Sequence, residues 1–247
     1  MKKISYLLFI AFMLVAFTSC KTKTTKEKTE GEEITYNTLT AEEKEQGWKL
    51  LFDGETFNGW HSFLEDTITG WTVEDGTLKA LGMGGDIGGD IVSDEQFENF
   101  ELSLEWKITP EGNSGILYLV VEDTAYDAVY ETGPEYQLLD DVGFPQELED
   151  VQLTGANYGM HVARNKELKP VGEWNTSRII VNNGHVEHWL NGNKVVEYEL
   201  WTDDWKELVE SGKWADYPDY GLAKKGHLAL QDHGSHVWFR NIKIRES

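Results

Sequence analysis

Three stretches of this chain set proton-handling side chains inside otherwise apolar runs. The first is Gly133-Pro-Glu-Tyr-Gln-Leu-Leu-Asp140. Read as a strand, it puts Glu135, Gln137 and Leu139 on one face and Tyr136 and Leu138 on the other. A carboxylate and an amide two residues apart on an inward face are costly unless they serve a ligand, whereas on a solvent face they are ordinary. The second is Leu230-Gln-Asp-His-Gly-Ser-His236, where Gln231 and His233 alternate if the strand runs that far, with Asp232 beside the imidazole. A histidine next to carboxylates titrates near neutral pH and can serve as acid, base or metal ligand. The same residues also suit a plain polar turn. The third, Asn113-Ser114-Gly115 ahead of the apolar run 116–121, reads as a turn whose Asn and Ser can hold a sugar hydroxyl. Arg240, in Val237-Trp-Phe-Arg-Asn-Ile242, lies where the apolar register shifts. A bulge there would aim it inward to bind an anion or hydroxyl; a structural salt bridge is the competing role.

The elements that must position these groups are mostly strands. Phe100-Glu-Leu-Ser-Leu-Glu-Trp-Lys-Ile108 alternates apolar and polar over nine positions, the pattern of a half-buried strand. Trp71 to Leu81 reads as strand, Glu-Asp-Gly turn, strand. Arg178 to Leu200 reads as three strand pieces broken at Asn182-Asn-Gly184 and Asn191-Gly192, both favoured hairpin turns. Gly226 to Arg245 reads as two more strands around Asp232-His-Gly234. Thr40-Ala-Glu-Glu43 is a capping box that opens a short helix closed by Gly47. A second helix is expected near Asp204 to Glu210, with Trp205, Leu208 and Val209 on one face. Short strands, tight turns and few helices in about 200 residues make one all-β sandwich, with no repeat or composition shift to mark a second domain.

Composition narrows the chemistry. The chain has 247 residues, 44 Asp+Glu against 22 Lys+Arg, ten each of Trp, Tyr and Phe, and one cysteine. The formal charge of −22 argues against nucleic acid and anionic membrane faces, which bind through cation excess. One cysteine forbids an internal disulfide and a Cys-rich metal cluster. No nucleotide loop, nucleophile elbow or His-Glu-x-x-His occurs. His61, His161, His185, His188 and His227 have no spacing that suggests a metal. Most of the aromatics belong in the core, and one or two exposed rings would make a sugar-stacking platform.

The first twenty residues stand apart. Lys2 and Lys3, an apolar run from Ile4 to Phe17 and small residues before Cys20 read as a secretory signal, too short for a membrane span. Cys20, the only cysteine, stands where a bacterial lipoprotein would be lipidated. Residues 21–33 form a hydrophilic tether with four Lys and four Glu, and the folded part expected over 34–247 carries the acidic excess, 40 acidic residues against 16 basic.

Several segments together resemble one family. Leu51-Phe-Asp-Gly54 with Asn58-Gly-Trp60 comes first, then Trp71-Thr-Val-Glu-Asp-Gly-Thr-Leu78 and Asn113-Ser-Gly-Ile116. Gly133-Pro-Glu-Tyr-Gln137, Gly172-Glu-Trp-Asn175, Leu190-Asn-Gly192, and Leu230-Gln-Asp-His-Gly234 with Phe239-Arg-Asn-Ile242 follow in order. Each alone is weak; seven in sequence over residues 47–246 resemble the 3-keto-disaccharide hydrolase domain family. The resemblance implies a concanavalin-like jelly-roll sandwich in an exported bacterial lipoprotein. It faces the periplasm on this reading, since residues 21–28 lack the acidic run used for surface export. It also implies cleavage of 3-keto-glycosides. A C3 ketone acidifies the C2 proton, so the glycosidic bond can leave by elimination and water then adds to the enone, a net hydrolysis. Glu135 and His233 are the implied acid–base pair, in either order. Gln137, Asn113, Ser114, Gln231, Arg240 and Asp140 are the expected binding groups. A divalent metal is an alternative electrophile, with His233, Glu135 or Asp140 as ligands. Two other readings compete: a non-catalytic carbohydrate-binding lipoprotein, and a retaining glycosidase, which needs a second carboxylate about 5 Å from Glu135.

Overall fold

The computed structural model describes residues 35–83 and 89–246; the signal, Cys20 and the tether lie outside the described residues. In chain order the elements are α1 (Ala41–Glu45), β1 (Lys49–Leu50), β2 (Trp60–Ser62), β3 (Trp71–Glu74), β4 (Thr77–Leu81), β5 (Ile91–Phe97), β6 (Phe100–Ile108) and β7 (Asn113–Val120). Then come β8 (Glu135–Leu139), β9 (Asn175–Asn182), β10 (His185–Leu190), β11 (Asn193–Glu199), α2 (Asp203–Ser211), β12 (Gly226–Leu230) and β13 (His236–Glu246). They form two antiparallel sheets. The first runs β11-β10-β9-β6-β13-β4-β3, with β1 also paired to β13; the second runs β2-β5-β12-β7-β8. The all-β sandwich expected from the alternation is the fold observed.

Alternation places the core between the sheets. Leu102, Leu104, Trp106 and Ile108 of β6 face inward, and Tyr118, Tyr136, Leu138, Leu228 and Leu230 of the second sheet meet them. Burying each large side chain is worth roughly 1.5–3 kcal/mol. The β9–β10 and β10–β11 turns have Asn183 and Asn191 at φ 51° and 48°, followed by Gly184 and Gly192 at 91° and 86°. Two successive positive φ values define the turn that matches strand twist, which is why Asn-Gly stands at both. The capping box of α1 forms as read, with Glu43 N–H donating to Thr40 Oγ1 (3.1 Å) and Thr40 N–H to Glu43 Oε2 (2.9 Å). In α2, Trp205 and Val209 are buried, but Leu208 is not on that face and lies 37% exposed.

Two local expectations need correction. Asn113-Ser114-Gly115 is the start of β7, paired with β8 through Gly115 and Gln137, and not a turn. The two strands expected around Asp232-His-Gly234 do form, as interior strands of different sheets, so the segment between them crosses from one sheet to the other. The bulge near Arg240 exists, but Asn241 (φ 51°) absorbs the extra residue and Arg240 points outward from the first sheet.

Register across the second sheet decides what its outer face carries. His61, Val92, Ala229, Leu117 and Glu135 are successive cross-strand partners from β2 to β8, so one row crosses all five strands. Val92, Leu117, Val120 and Ala229 form a small apolar cluster there, covered by Val129 and Phe63. The neighbouring row holds Gly115 and Gln137, and Gln231 N–H donates to the Gly115 carbonyl (3.0 Å).

Candidate active site

A cleft of about 520 Å³ opens on this outer face. The stretch after β2 gives it Ser62, Phe63, Glu65 and Thr69, and the residues before β5 give Gly89 and Asp90. The β7–β8 connection gives 127–130, and the crossover after β12 gives Gln231, Asp232 and His233. Phe63 and Val129, which belong to the small apolar cluster, give it an apolar part, and the rest of its lining is rich in oxygen. Gln231 is 7% exposed, and its Oε1 has no hydrogen-bond partner; the Ser62 Oγ is in the same condition. Buried acceptors left unmatched are costly, and hydroxyl donors from a sugar would satisfy them.

Glu135 lies on the same outer face, at the β8 end of the row through Leu117, Ala229 and Val92, and is not itself among the residues that line the cleft. It is 5% exposed, and its carboxyl packs directly over Gly115, where a Cβ would fall 2.2 Å from Oε1. The glycine is therefore the space that the carboxyl occupies. Burial pushes Glu135 up to about 8; the Lys213 ammonium opposes the rise and Asp90 adds to it. Turned so that its nitrogen faces acceptors, the Gln137 amide donates to Glu135 Oε1 (2.9 Å) and to the Ser114 carbonyl (3.0 Å). The reverse orientation leaves it only Asn113 Oδ1 at 3.2 Å.

Asp90 is the second acid, and the sequence did not point to it. It is half-buried in the lining of the cleft. Burial pushes it up to about 7, with the Asp232 N–H bond (3.1 Å) opposing and the Asp232 carboxylate reinforcing the rise. The Asp232 oxygens accept the N–H groups of Met83 and Gly234, each at 3.1 Å. Two carboxyls raised by burial, Glu135 also by Asp90 and Asp90 also by Asp232, are the pattern of a proton-transfer site. The one signal for Asp90 in the sequence was an acid between a glycine-rich stretch and the apolar start of β5.

The other expected residues divide. His233 lines the cleft but is exposed at its rim. Asn113 stays beside Gln137, while the Ser114 hydroxyl donates to the Gln231 carbonyl (2.7 Å) and so holds β7 to the crossover. Asp140 binds its own loop, accepting N–H groups from Glu111 (2.9 Å), Gly143 (2.8 Å) and Val142 (3.3 Å), and these hold its carboxyl below the usual range against the effect of burial. Arg240 lies on the other sheet, paired with Glu105 (2.8 Å) and stacked between Tyr36 and Trp174. The donors expected for a divalent metal do not fit one: Asp140 is saturated by backbone, Glu135 is bonded to Gln137, and His233 is out on the rim. Among the described residues one other group, His185, Glu187 and Glu197, does converge within 4.8 Å, but on the first sheet, where Lys194 pairs with both carboxylates.

Comparison with known proteins shows the family. The family model of the 3-keto-alpha-glucoside-1,2-lyase-like domain matches residues 47–245. The chain belongs to this family. A 3-keto-disaccharide hydrolase from Bacteroides thetaiotaomicron is 37% identical over 227 residues, 81% of this chain and 78% of that protein. The crystal structure of a presumed glycosyl hydrolase from Parabacteroides distasonis is 45% identical with a TM-score of 0.82, covering 86% of this chain and all of that one. A second such structure from the same organism is 29% identical, with a TM-score of 0.62 over 81% and 99% of the two chains. The expectation of a hydrolase acting on glycosides accords with membership of the lyase-like family, whose matched region contains every residue of the cleft.

Proposed function

We propose that the chain cleaves 3-keto-glycosides or 3-keto-disaccharides by elimination and hydration. The observation that carries this reading is the seating of the Glu135 carboxyl over Gly115 with Asp90 in the cleft lining, two carboxyls that burial raises to about 8 and about 7, just above and at neutral pH. Near neutrality such a pair holds one proton to give and one vacancy to fill. The ionised member removes the C2 proton, the C1–oxygen bond breaks, and the protonated member supplies the departing oxygen. Water then adds to C1 of the enone. His233, at the rim, exchanges protons between this pair and solvent. The Gln137 amide and the Lys213 ammonium favour the ionised form of Glu135, and Gln231 Oε1 accepts a sugar hydroxyl.

Turnover of a 3-keto-glucoside beside its unoxidised parent is the direct test. Cleavage of the keto form alone supports elimination. Equal cleavage of both would make this a retaining glycosidase with Asp90 as the second carboxylate, and binding without cleavage would make the cleft a lectin-like groove. The two carboxyls are assigned by leaving group: with a nitrophenyl leaving group, which needs no acid, the variant lacking the acid keeps most of its turnover and the variant lacking the base does not. Export with a lipid on Cys20, facing the periplasm, completes the proposal. Its check is whether Cys20→Ser moves the protein from the membrane to the soluble fraction.

A further inference from the structure

The cleft has two unlike walls. Asp90, Ser62 and Gln231 make the polar wall, with two buried oxygens that lack partners. From the long connection between β7 and β8, Tyr130 also lines the cleft and is 37% exposed. That exposure is built in. Glu131 Oε1 accepts the N–H groups of Asp127 (2.8 Å) and Ala128 (3.1 Å), which closes the turn. Val129 anchors it in the small apolar cluster. Behind the ring stand Tyr217, edge-on at 5.8 Å and 86°, and Trp214 at 6.4 Å. Trp214 is itself fixed, stacked on Tyr220 at 4.2 Å and donating from Nε1 to the Tyr158 carbonyl (3.1 Å). A tyrosine held this way presents its ring without losing further conformational freedom on binding.

We propose that Tyr130 forms the leaving-group subsite and selects aglycones that are neutral rings, a second pyranose or an aryl group, over small alkyl groups. This rests on the glycoside-cleaving reading of the cleft. The polar wall takes the hydroxyls of the sugar being attacked, so the aglycone projects toward the part of the cleft that Tyr130 lines. The flat ring there offers stacking area, and Asp127 beside it disfavours an anionic aglycone.

The experiment compares Tyr130→Ala and Tyr130→Phe on the methyl and the 4-methoxyphenyl 3-keto-glucosides. Tyr130→Ala is expected to raise KM for the aryl substrate about tenfold more than for the methyl one, with kcat on both within about threefold, since one stacked ring contributes about that factor. Tyr130→Phe keeps the ring and should retain the preference. Equal losses on the two substrates, or no loss on either, would overturn the assignment. If the wild-type protein cleaves neither substrate, calorimetric Kd values for the same pair separate the two ideas. A wild-type preference for the aryl glycoside that vanishes in Tyr130→Ala supports the subsite although the chemistry has failed, and no preference overturns it.

Discussion

Glu135→Gln tests the buried carboxyl before any substrate is in hand. Burial, with Asp90 adding and Lys213 opposing, moves Glu135 from 4.5 to about 8. A carboxyl whose folded pKa is raised binds its proton more tightly in the folded state than in the unfolded chain. Stability therefore falls as pH climbs from about 4.5 to about 8 and stays low above that. At about 1.4 kcal/mol per pH unit, the full loss is about 5 kcal/mol. Relaxation around the ionised form and water entering the cleft recover part of it, leaving about 2 kcal/mol. Glutamine has the shape of the protonated acid and no charge, so the variant escapes the loss. Scanning calorimetry should find both proteins melting together at pH 5. At pH 9 the variant should melt about 4–8 °C higher, since 1 kcal/mol shifts Tm by about 2–4 °C in a chain of this size. A Tm difference that does not change with pH, or a variant less stable at pH 9, would refute the reasoning.

Gly115→Ala places a Cβ 2.2 Å from Glu135 Oε1. It should cut kcat at least tenfold in a folded protein and weaken the pH dependence just described, and unchanged turnover would show that the carboxyl position is not critical. His233→Ala removes an exposed rim residue, so it should leave Tm unchanged while lowering turnover; wild-type rates would remove His233 from the mechanism. His61 bonds Asp94 through Nδ1 (2.7 Å) and Glu122 through Nε2 (2.9 Å). Burial opposes but does not outweigh these carboxylates, and its pKa is raised from 6.5. The stability gained is complete below 6.5 and is lost as pH rises through the folded value. His61→Gln should therefore lower Tm more at pH 5.5 than at pH 8.5, and an equal loss at both would contradict the pairing.

Local signals in the sequence held where the physics is local. A period of two over nine residues became β6, Asn-Gly pairs became hairpins, and the polar alternation in 135–139 became β8 with Glu135 and Gln137 on one face. What failed depends on partners distant in sequence. Nothing in residues 226–246 says that β12 pairs with β5 and β7 while β13 pairs with β1, β4 and β6 in the other sheet. Asn113-Ser114-Gly115 carries turn residues, yet its glycine is explained by the carboxyl above it and not by a bend. Arg240 was placed correctly at a bulge and given the wrong direction, because alternation cannot say which residue takes the positive φ. Asp90 was invisible for the same reason. Its character comes from burial and from Asp232, 142 residues away.

The chemical and the mechanical properties of this cleft have one origin. Two ordinary surface carboxylates would both be ionised at neutral pH, giving two weak bases and no acid. A pair neutralised by its own cations would be weaker still as a base. Burial raises both Glu135 and Asp90, with Asp90 adding to the first and Asp232 to the second, so each binds a proton near the pH at which it must also release one. The energy that makes them reactive is the same energy that lowers stability when they ionise, so loss of turnover and gain of alkaline stability should appear together in Glu135→Gln. Lys213 sets the limit on this arrangement. Held over the rings of Tyr158 and Trp214 at 3.9 Å and 4.8 Å, it opposes the rise at Glu135 and keeps the ionised form within reach. With the higher pKa of the pair, Glu135 is the member that holds the proton, so Lys213→Met should move the alkaline limb of the pH–rate profile upward. A limb that stays in place would mean that Glu135 is not the group that must stay protonated.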